Sequence, residues 1–334
     1  MRVAFCIILG LILLSSCSDE PVKRALQRFS GAPADVVVVM DDGYWEGEPG
    51  EVLRKAMLEP YRILPQSEPR FNIIRVPKRK FNSLLRMNRT IIIADIEDNA
   101  RNVEPRVISQ GEQWAKDQGV YTFHALDAET FVQEFKEKGP QVLNDITIKD
   151  RERVEEYIRG VESGTLSADL KTTLNVDLSL HRDFVLADKG KDYMWFRRER
   201  VDYLSGIPHD VMMGVMVYTY PYDSDSLFSM SSLIAHRDSM MGKVIKSVFL
   251  EGMRVETRLP AELDTVTFSS QFATELKGLW RFDKPIMGGP FTSLSVVDEK
   301  QGRIITVDGY VFAPKFDKRD YMIEMDALVH SLSF

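Results

Sequence analysis

The amino-acid sequence predicts a mixed α/β fold made of two sheet-plus-helix halves. Three observations carry that expectation. Residues 34–160 alternate short β-branched runs with stretches of helical period. Residues 170–334 are strand-rich and close on an amphipathic helix. Hydrophobic residues make up 44% and charged residues 28% of the chain, both globular values. No apolar run after residue 17 approaches the roughly 20 residues of a membrane span, so no transmembrane body is expected.

Taken in order, residues 36–40 are a continuous apolar run that suits a strand buried on both faces, and Asp41-Asp42-Gly43 turns the chain. Residues 50–58 read as a helix, and 71–76 and 90–96 as strands. Val107, Ile108, Gly111, Trp114 and Gln118 recur at helical spacing, which predicts a helix over 103–118 closed by Gly119. Residues 120–126 return as a strand. Phe131, Val132 and Phe135 predict a helix over 129–138 that stops at Gly139-Pro140, and Val154, Tyr157 and Ile158 mark another ended by Gly160. Residues 160–169, rich in Gly and Ser, are the expected join between halves.

In the second half, strands are expected at 183–187, 193–198 and 211–220. Leu227, Met230, Ile234, Met241, Val244 and Val248 then space out a helix. Strands follow at 253–259, 265–272, 294–298 and 303–312, before a helix over 321–332. The order strand, helix, strand recurs in both halves and raises a duplication, although no residue-level match supports it.

The N-terminus supplies an address. Arg2 precedes an apolar run over 3–14 that is too short to span a bilayer, and Leu14-Ser15-Ser16-Cys17 follows. This is the pattern of a lipoprotein leader over 1–16, with lipid attached to Cys17 and a tether running to residue 33. Two or three acyl chains anchor firmly where one does not. Cys6 leaves with the leader and Cys17 is consumed by lipid, so the mature chain has no thiol for a disulfide, a metal or catalysis. Losing Arg2 takes 43 bases to 42 against 50 acids, or −8, which argues against nucleic acid as a partner.

Motifs for chemistry are sparse. His-Arg-Asp occurs at 181–183 and 236–238, but a kinase loop needs Asn where Asp188 and Lys243 stand. The five histidines (124, 181, 209, 236 and 330) never fall at metal-binding spacing, and no metal or cofactor is expected. Arg70, Arg75, Lys78, Arg79, Lys80, Arg86 and Arg89 crowd one stretch with no acid until Asp95. The last six are a candidate patch for a phosphate-bearing glycolipid or other polyanion. The alternative is a solvated edge whose bases meet acids such as Glu59 or Glu68. Trp280 and the segment Met287-Gly288-Gly289-Pro290-Phe291 form a second candidate, a turn flanked by aromatic rings that could anchor glycan or peptide. Its alternative is a plain turn with both rings in the core.

Several segments together resemble one family. They are Leu64-Pro65-Gln66-Ser67-Glu68-Pro69, Gly278-Leu279-Trp280, Met287 to Phe291, the Gly-Tyr-Val-Phe-Ala-Pro run at 309–314, and Lys318-Arg319 before the last helix. With the leader, they resemble a lipoprotein family of Bacteroidota carried as domain of unknown function 4837, over nearly all of the mature chain. In such lipoproteins, acidic residues after the anchor, here Asp19 and Glu20 following Ser18, act as an outer-surface export tag; a solvated tether explains them equally well. The resemblance implies no reaction, cofactor or catalytic residue. The expectation is a cell-envelope protein on the outer membrane, facing either side, that binds an envelope glycan, glycolipid or protein without catalysis. The rivals are an envelope hydrolase or transferase using Asp41, Asp42, Glu68 or a histidine, and a structural subunit of an envelope complex.

Overall fold

The computed structural model describes residues 26–97 and 104–334. The leader and Cys17 lie outside the described residues, and no helix within them is long and apolar enough to cross a membrane. Two sheets with their helices make up the fold, as the sequence pattern implies.

The first sheet contains β1 (Asp35–Val39), β2 (Asn72–Val76), β3 (Thr90–Ile96), β4 (Arg106–Gly111) and β5 (Gly119–Ala125), in the order β2-β1-β3-β5-β4. All pairs are parallel except β4 with β5. The second sheet is antiparallel throughout. It contains β6 (Val185–Lys189), β7 (Tyr193–Leu204), β8 (Ile207–Pro221), β9 (Arg254–Val255), β10 (Glu262–Phe268), β11 (Gln271–Phe282), β12 (Met287–Asp298) and β13 (Arg303–Phe312). Its order is β10-β11-β12-β13-β8-β7-β6, with β9 paired to β11. One sheet is mostly parallel and the other wholly antiparallel, so their topologies give a duplication no support.

The first sheet is flanked by α1 (Asp42–Glu46), α2 (Glu48–Met57), the single turn α3 (Ser83–Arg86) and α4 (Ala128–Gly160). The second carries α5 (Gly164–Leu174), α6 (Met230–Val244) and α7 (Arg319–His330). Packing of α4 on α7 joins the halves. Ile323 of α7 enters the core built by Val36, Val38, Ile92, Phe123 and Phe131, and Val154 of α4 packs against both cores. Residues 161–163 lead directly into α5, whose Leu166, Leu170 and Leu174 are buried on the second sheet.

Three expected elements change in extent: the helix expected through Val248 ends at Val244, the strand over 253–259 shrinks to β9, and the strand over 265–272 is split by the Ser269-Ser270 turn between β10 and β11. Three more change in kind or continuity. Residues 106–111 are a strand, because the edge of β5 offers unpaired backbone groups that a strand can satisfy. Glu112 and Asp117, at φ 51° and 60°, turn the chain between the two strands. The side chain of Gln118 closes that turn by accepting from Trp114 N at 3.1 Å, and its amide donates to Asn88 O at 2.5 Å and Arg86 O at 2.6 Å in the segment before β3. Second, α4 runs through Gly139-Pro140 for 33 residues. A proline inside a helix costs about 3 kcal/mol. Burying Val142, Leu143 and Ile146 in the core that already holds Phe131 and Phe135 returns roughly 1.5–3 kcal/mol for each side chain, so continuity wins. Third, the expected turn at 287–291 is the opening of β12.

Candidate functional site

That third change moves the aromatic candidate into the core. Trp280 pairs with Gly289 and Arg281 with Gly288 across β11 and β12, and the turn falls at 283–286. A Cβ on Gly288 would lie 2.6 Å from Trp280 O, and one on Gly289 would overlap Val311 O. The glycines therefore admit neighbouring backbone, not a ligand. Trp280 and Phe291 are buried, and the indole donates from Nε1 to Val311 O at 3.1 Å. Gly288 is exposed and Pro290 buried, and half-buried Met287 packs against the Trp280 core, so no cleft is bordered by an exposed indole.

Most of the basic patch is neutralised by acids other than the expected Glu59 and Glu68. Arg75 donates to Asp42 Oδ1 at 2.6 Å, Arg79 to Asp42 Oδ2 at 3.2 Å, and Lys78 to Asp95 Oδ1 at 2.7 Å. Arg86 lies over Phe81 and Trp114. Lys80 is exposed, and Arg89 points inward. The proposed acids and bases have structural partners as well. Asp41 accepts from Lys78 N at 2.9 Å, and Glu68 is buried against the start of α7, accepting from Lys318 N and Arg319 N at 2.7–2.9 Å.

The structure gathers its polar groups on either side of the α4–α7 joint. On one side is a cavity of about 820 Å³ lined by Phe29, Arg89, Arg153, Arg198, Tyr321 and Glu324, among others. Arg153 reaches it because α4 places Asp150 and Arg153 one turn apart. Both are buried, and Arg153 Nη1 donates to Asp150 Oδ1 at 3.0 Å. Arg89, just before β3, brings Nε to 2.8 Å from the same oxygen, but its N–H is misaligned and makes no hydrogen bond. Asp150 Oδ2 is occupied by Ala34 N at 2.8 Å. One carboxylate thus serves two buried guanidiniums, which both approach the ring of Phe29. Burial lowers the pKa of Arg89; Asp150 opposes this, and the like charge of Arg153 reinforces it. Arg198, also buried, pairs with Glu324 at 2.7 Å and leaves Nε without a partner.

On the other side, a cavity of about 650 Å³ is lined by Tyr61, Arg151, Glu275, Lys277, Asp326 and His330, among others. Glu275 and Lys277 alternate along β11, so they share a face. Lys277 lies 3.4 Å from Glu275 and 3.2 Å from Asp326, Tyr61 donates to Asp326 at 3.0 Å, and His330 Nε2 is 2.6 Å from Glu275. Burial alone would raise the Glu275 carboxyl, but the hydrogen bond from His330 and the charge of Lys277 hold it down at about 2. Burial likewise works against the Lys277 ammonium, yet Asp326 and Glu275 raise its pKa. Burial and Asp326 push the Tyr61 hydroxyl well up. The shifts fix all three protonation states, Glu275 and Lys277 charged and Tyr61 neutral, which suits a hydrogen-bonded ion network between halves better than proton transfer.

A third arrangement sits at the carboxyl edge of the parallel strands, beside the β1–β3 order switch where such sheets bind ligands. Asp95, half-buried at the end of β3, is 2.8 Å from His124 Nδ1 on the paired strand β5 and 2.7 Å from Lys78. Burial raises the Asp95 carboxyl, and Lys78 with His124 override it and lower it. Among the described residues no group of three His, Asp or Glu side chains could hold a metal ion.

Sequence reasoning named Arg89 but missed Asp150, Arg153 and the Glu275–Lys277–Asp326–His330 network. Polar residues inside an otherwise apolar strand or helix stripe were the available signal: Glu275 and Lys277 in β11, and Asp150 and Arg153 in α4.

These features define a two-sheet α+β protein whose two polar cavities lie between its halves. The model of the family described as domain of unknown function (DUF4837) matches residues 162–331, just over half of the chain, and the chain belongs to that family. A second model, domain of unknown function (DUF8532), matches residues 30–159. The Leu-Pro-Gln-Ser-Glu-Pro segment therefore falls under the second description, and the resemblance to the first is confined to the C-terminal half. No curated protein matches the chain in sequence. Among solved structures, the Saccharomyces cerevisiae Ran-binding protein Mog1p is similar over 47% of this chain and 89% of its own, at 9% identity and a TM-score of 0.31. LpqN of Mycobacterium tuberculosis, involved in cell envelope biogenesis, is similar over 47% of this chain and 82% of its own, at 12% identity and a TM-score of 0.27.

Proposed function

We propose that the protein is a lipid-anchored cell-envelope binding module that holds an anionic ligand in the arginine-lined cavity between its halves. The carrying observation is the sharing of Asp150 by Arg89 and Arg153. Two buried guanidiniums on one buried carboxylate leave a positive charge with no second direct ion-pair partner among the described residues, offset only by the charge of Asp35 acting on Arg89 without a contact, and burying such a charge is costly unless something pairs with it. Most other charges at the cavity are paired elsewhere, Arg198 with Glu324, Arg200 with Asp202, Asp320 with Arg319 and Glu199 with Arg197, while the exposed Asp183 meets only His181 among the described residues. Carboxylate or phosphate groups match a guanidinium fork, and both occur on envelope glycans and glycolipids. The anchor is Cys17, on the strength of the leader that precedes it.

Titration of the mature chain with inorganic phosphate, followed by amide NMR, tests the site. Shifts should cluster around Arg89, Arg153 and Arg198. Shifts confined to Lys80 and the outer basic edge, or none, would reject it. The anchor is tested separately: Cys17→Ala should release the chain from the membrane fraction in a high-salt wash, and full retention would count against lipidation.

The hydrolase or transferase reading keeps one foothold. Asp41, Asp42 and Glu68 are committed to structural partners, but Asp95 orients His124 Nδ1 as a catalytic base would be oriented. Hydrolysis of an envelope glycan or peptide abolished by His124→Gln would favour it.

A further inference from the structure

The loop between α6 and β9 and the turn between β11 and β12 form one projecting tip. Ser247 is its hub. Its buried hydroxyl accepts from Phe249 N at 3.2 Å and Glu251 N at 3.3 Å, and donates to Lys284 O at 2.7 Å. The Glu251 carboxylate accepts from Asp283 N at 2.9 Å and Lys284 N at 2.7 Å, tying the two segments a second time. Leu250 N bonds Ser247 O at 2.9 Å, and Leu250 is held at φ 62°, a conformation bulky side chains rarely adopt.

What this polar scaffold lifts outward is apolar. Val248 is 84% exposed, Phe249 67%, Leu250 79% and Ile286 92%. Large apolar side chains scattered singly over a surface need no explanation, but four on one hydrogen-bonded knob do. Lys246 and Lys284 stand in the same segments, and Lys243 in the last turn of α6 just before them. They are exposed, and none has an ion-pair partner among the described residues. The nearby acids are engaged: Glu251 by backbone N–H groups, and Asp283 by Arg254 and Arg281. The tip is therefore an apolar point with free positive charge in and just before its segments.

We propose that this tip dips into the interface of an anionic bilayer, with Val248, Phe249, Leu250 and Ile286 entering the headgroup–acyl boundary and the three lysines meeting lipid phosphates. Apolar area plus attraction to anionic lipid is what holds an interfacial segment, and lysine stems can follow the apolar residues inward while their ammonium groups stay wet. Charge complementarity favours a phospholipid surface over a protein partner, and a tip this exposed presents no broad flat face of the size a stable protein contact needs. The inference rests on the envelope reading for its choice of membrane. It does not depend on the Cys17 lipid or on the arginine cavity.

The test uses the mature chain from residue 17 with Cys17→Ser, which carries no acyl group and no thiol. It should sediment with vesicles containing phosphatidylglycerol and much less with pure phosphatidylcholine. Phe249→Asp with Leu250→Asp should lower that binding by roughly tenfold or more, and Lys246→Glu with Lys284→Glu should remove the preference for phosphatidylglycerol. All four positions are exposed, so folding should be unaffected, which circular dichroism checks. A single thiol introduced by Val248→Cys and labelled with a polarity-sensitive dye should shift its emission to the blue on the same vesicles. Binding unchanged by the aspartates, no blue shift, or an aspartate variant that merely converts a dimer to a monomer would each overturn the proposal.

Discussion

Arg237 of α6 and Asp308 of β13 form a two-pronged ion pair inside the second half. Nε donates to Oδ2 at 2.7 Å and Nη2 to Oδ1 at 3.2 Å, with the guanidinium carbon 3.6 Å from the centre of the Phe291 ring. Ser293 adds a further hydrogen bond to the same carboxylate. Both charges are fully buried, so the second His-Arg-Asp triplet is a structural element holding α6 on the sheet. Asp308→Ala should destabilise the protein by about 3–5 kcal/mol, because it strands a buried guanidinium. Replacing both residues by leucine should cost less than that single change. Urea unfolding of the two variants checks the order.

Gly289 should tolerate no side chain, although β12 begins near solvent. Its Cβ would overlap Val311 O beside the indole of Trp280, so Gly289→Ala should cost about 1–3 kcal/mol through overpacking. Trp280→Phe should cost about 1–3 kcal/mol, mostly by leaving Val311 O without its donor. Thermal melts measure both. Loss of a binding activity without loss of stability would contradict the core placement.

Pro140 is exposed on α4 and contributes no backbone donor. Pro140→Ala should therefore stabilise the protein, by up to about 3 kcal/mol. A lower melting temperature would mean that the helix needs the proline's geometry where α4 packs on α2.

The network at Glu275 sets an acid limit on stability. Its carboxyl titrates near 2 in the fold and near 4.5 when unfolded, so its contribution is fully present above about 4.5 and fades as pH falls toward 2. That contribution is on the order of 3 kcal/mol. Glu275→Gln should flatten the loss of stability across this window and leave the profile above pH 5 parallel to the original. An unchanged acid limb would show that other carboxylates control it.

The central strands were legible because burial on both faces leaves a plain mark. Residues 36–40 are wholly apolar and 303–312 are mostly apolar and β-branched around the buried Asp308, and they lie within one residue of β1 and β13. Local patterns misled where long-range pairing overrode them. Val107 and Ile108 fit a helical spacing, but β5 recruits them to its edge, and the apolar stripe carries α4 past a Gly-Pro stop. Met287 to Phe291 looked like a turn because the glycines advertise close approach without saying what approaches. The candidate cavity was less legible still. Arg89 meets Asp150 and Arg153 only through the docking of α4, and Glu275 meets His330 only through α7, contacts that no local spacing records.

The most direct measurement is the affinity of the mature chain for inorganic phosphate, compared among the wild type, Arg153→Gln and Arg62→Gln. Arg62 lines the other cavity and is exposed, so it serves as a control of equal charge change. A charged hydrogen bond is worth about 1.5–3 kcal/mol, so Arg153→Gln should weaken binding by roughly tenfold to a hundredfold while Arg62→Gln leaves it unchanged. Equal affinity in all three proteins, or equal loss in both variants, would contradict an anion site at the shared Asp150.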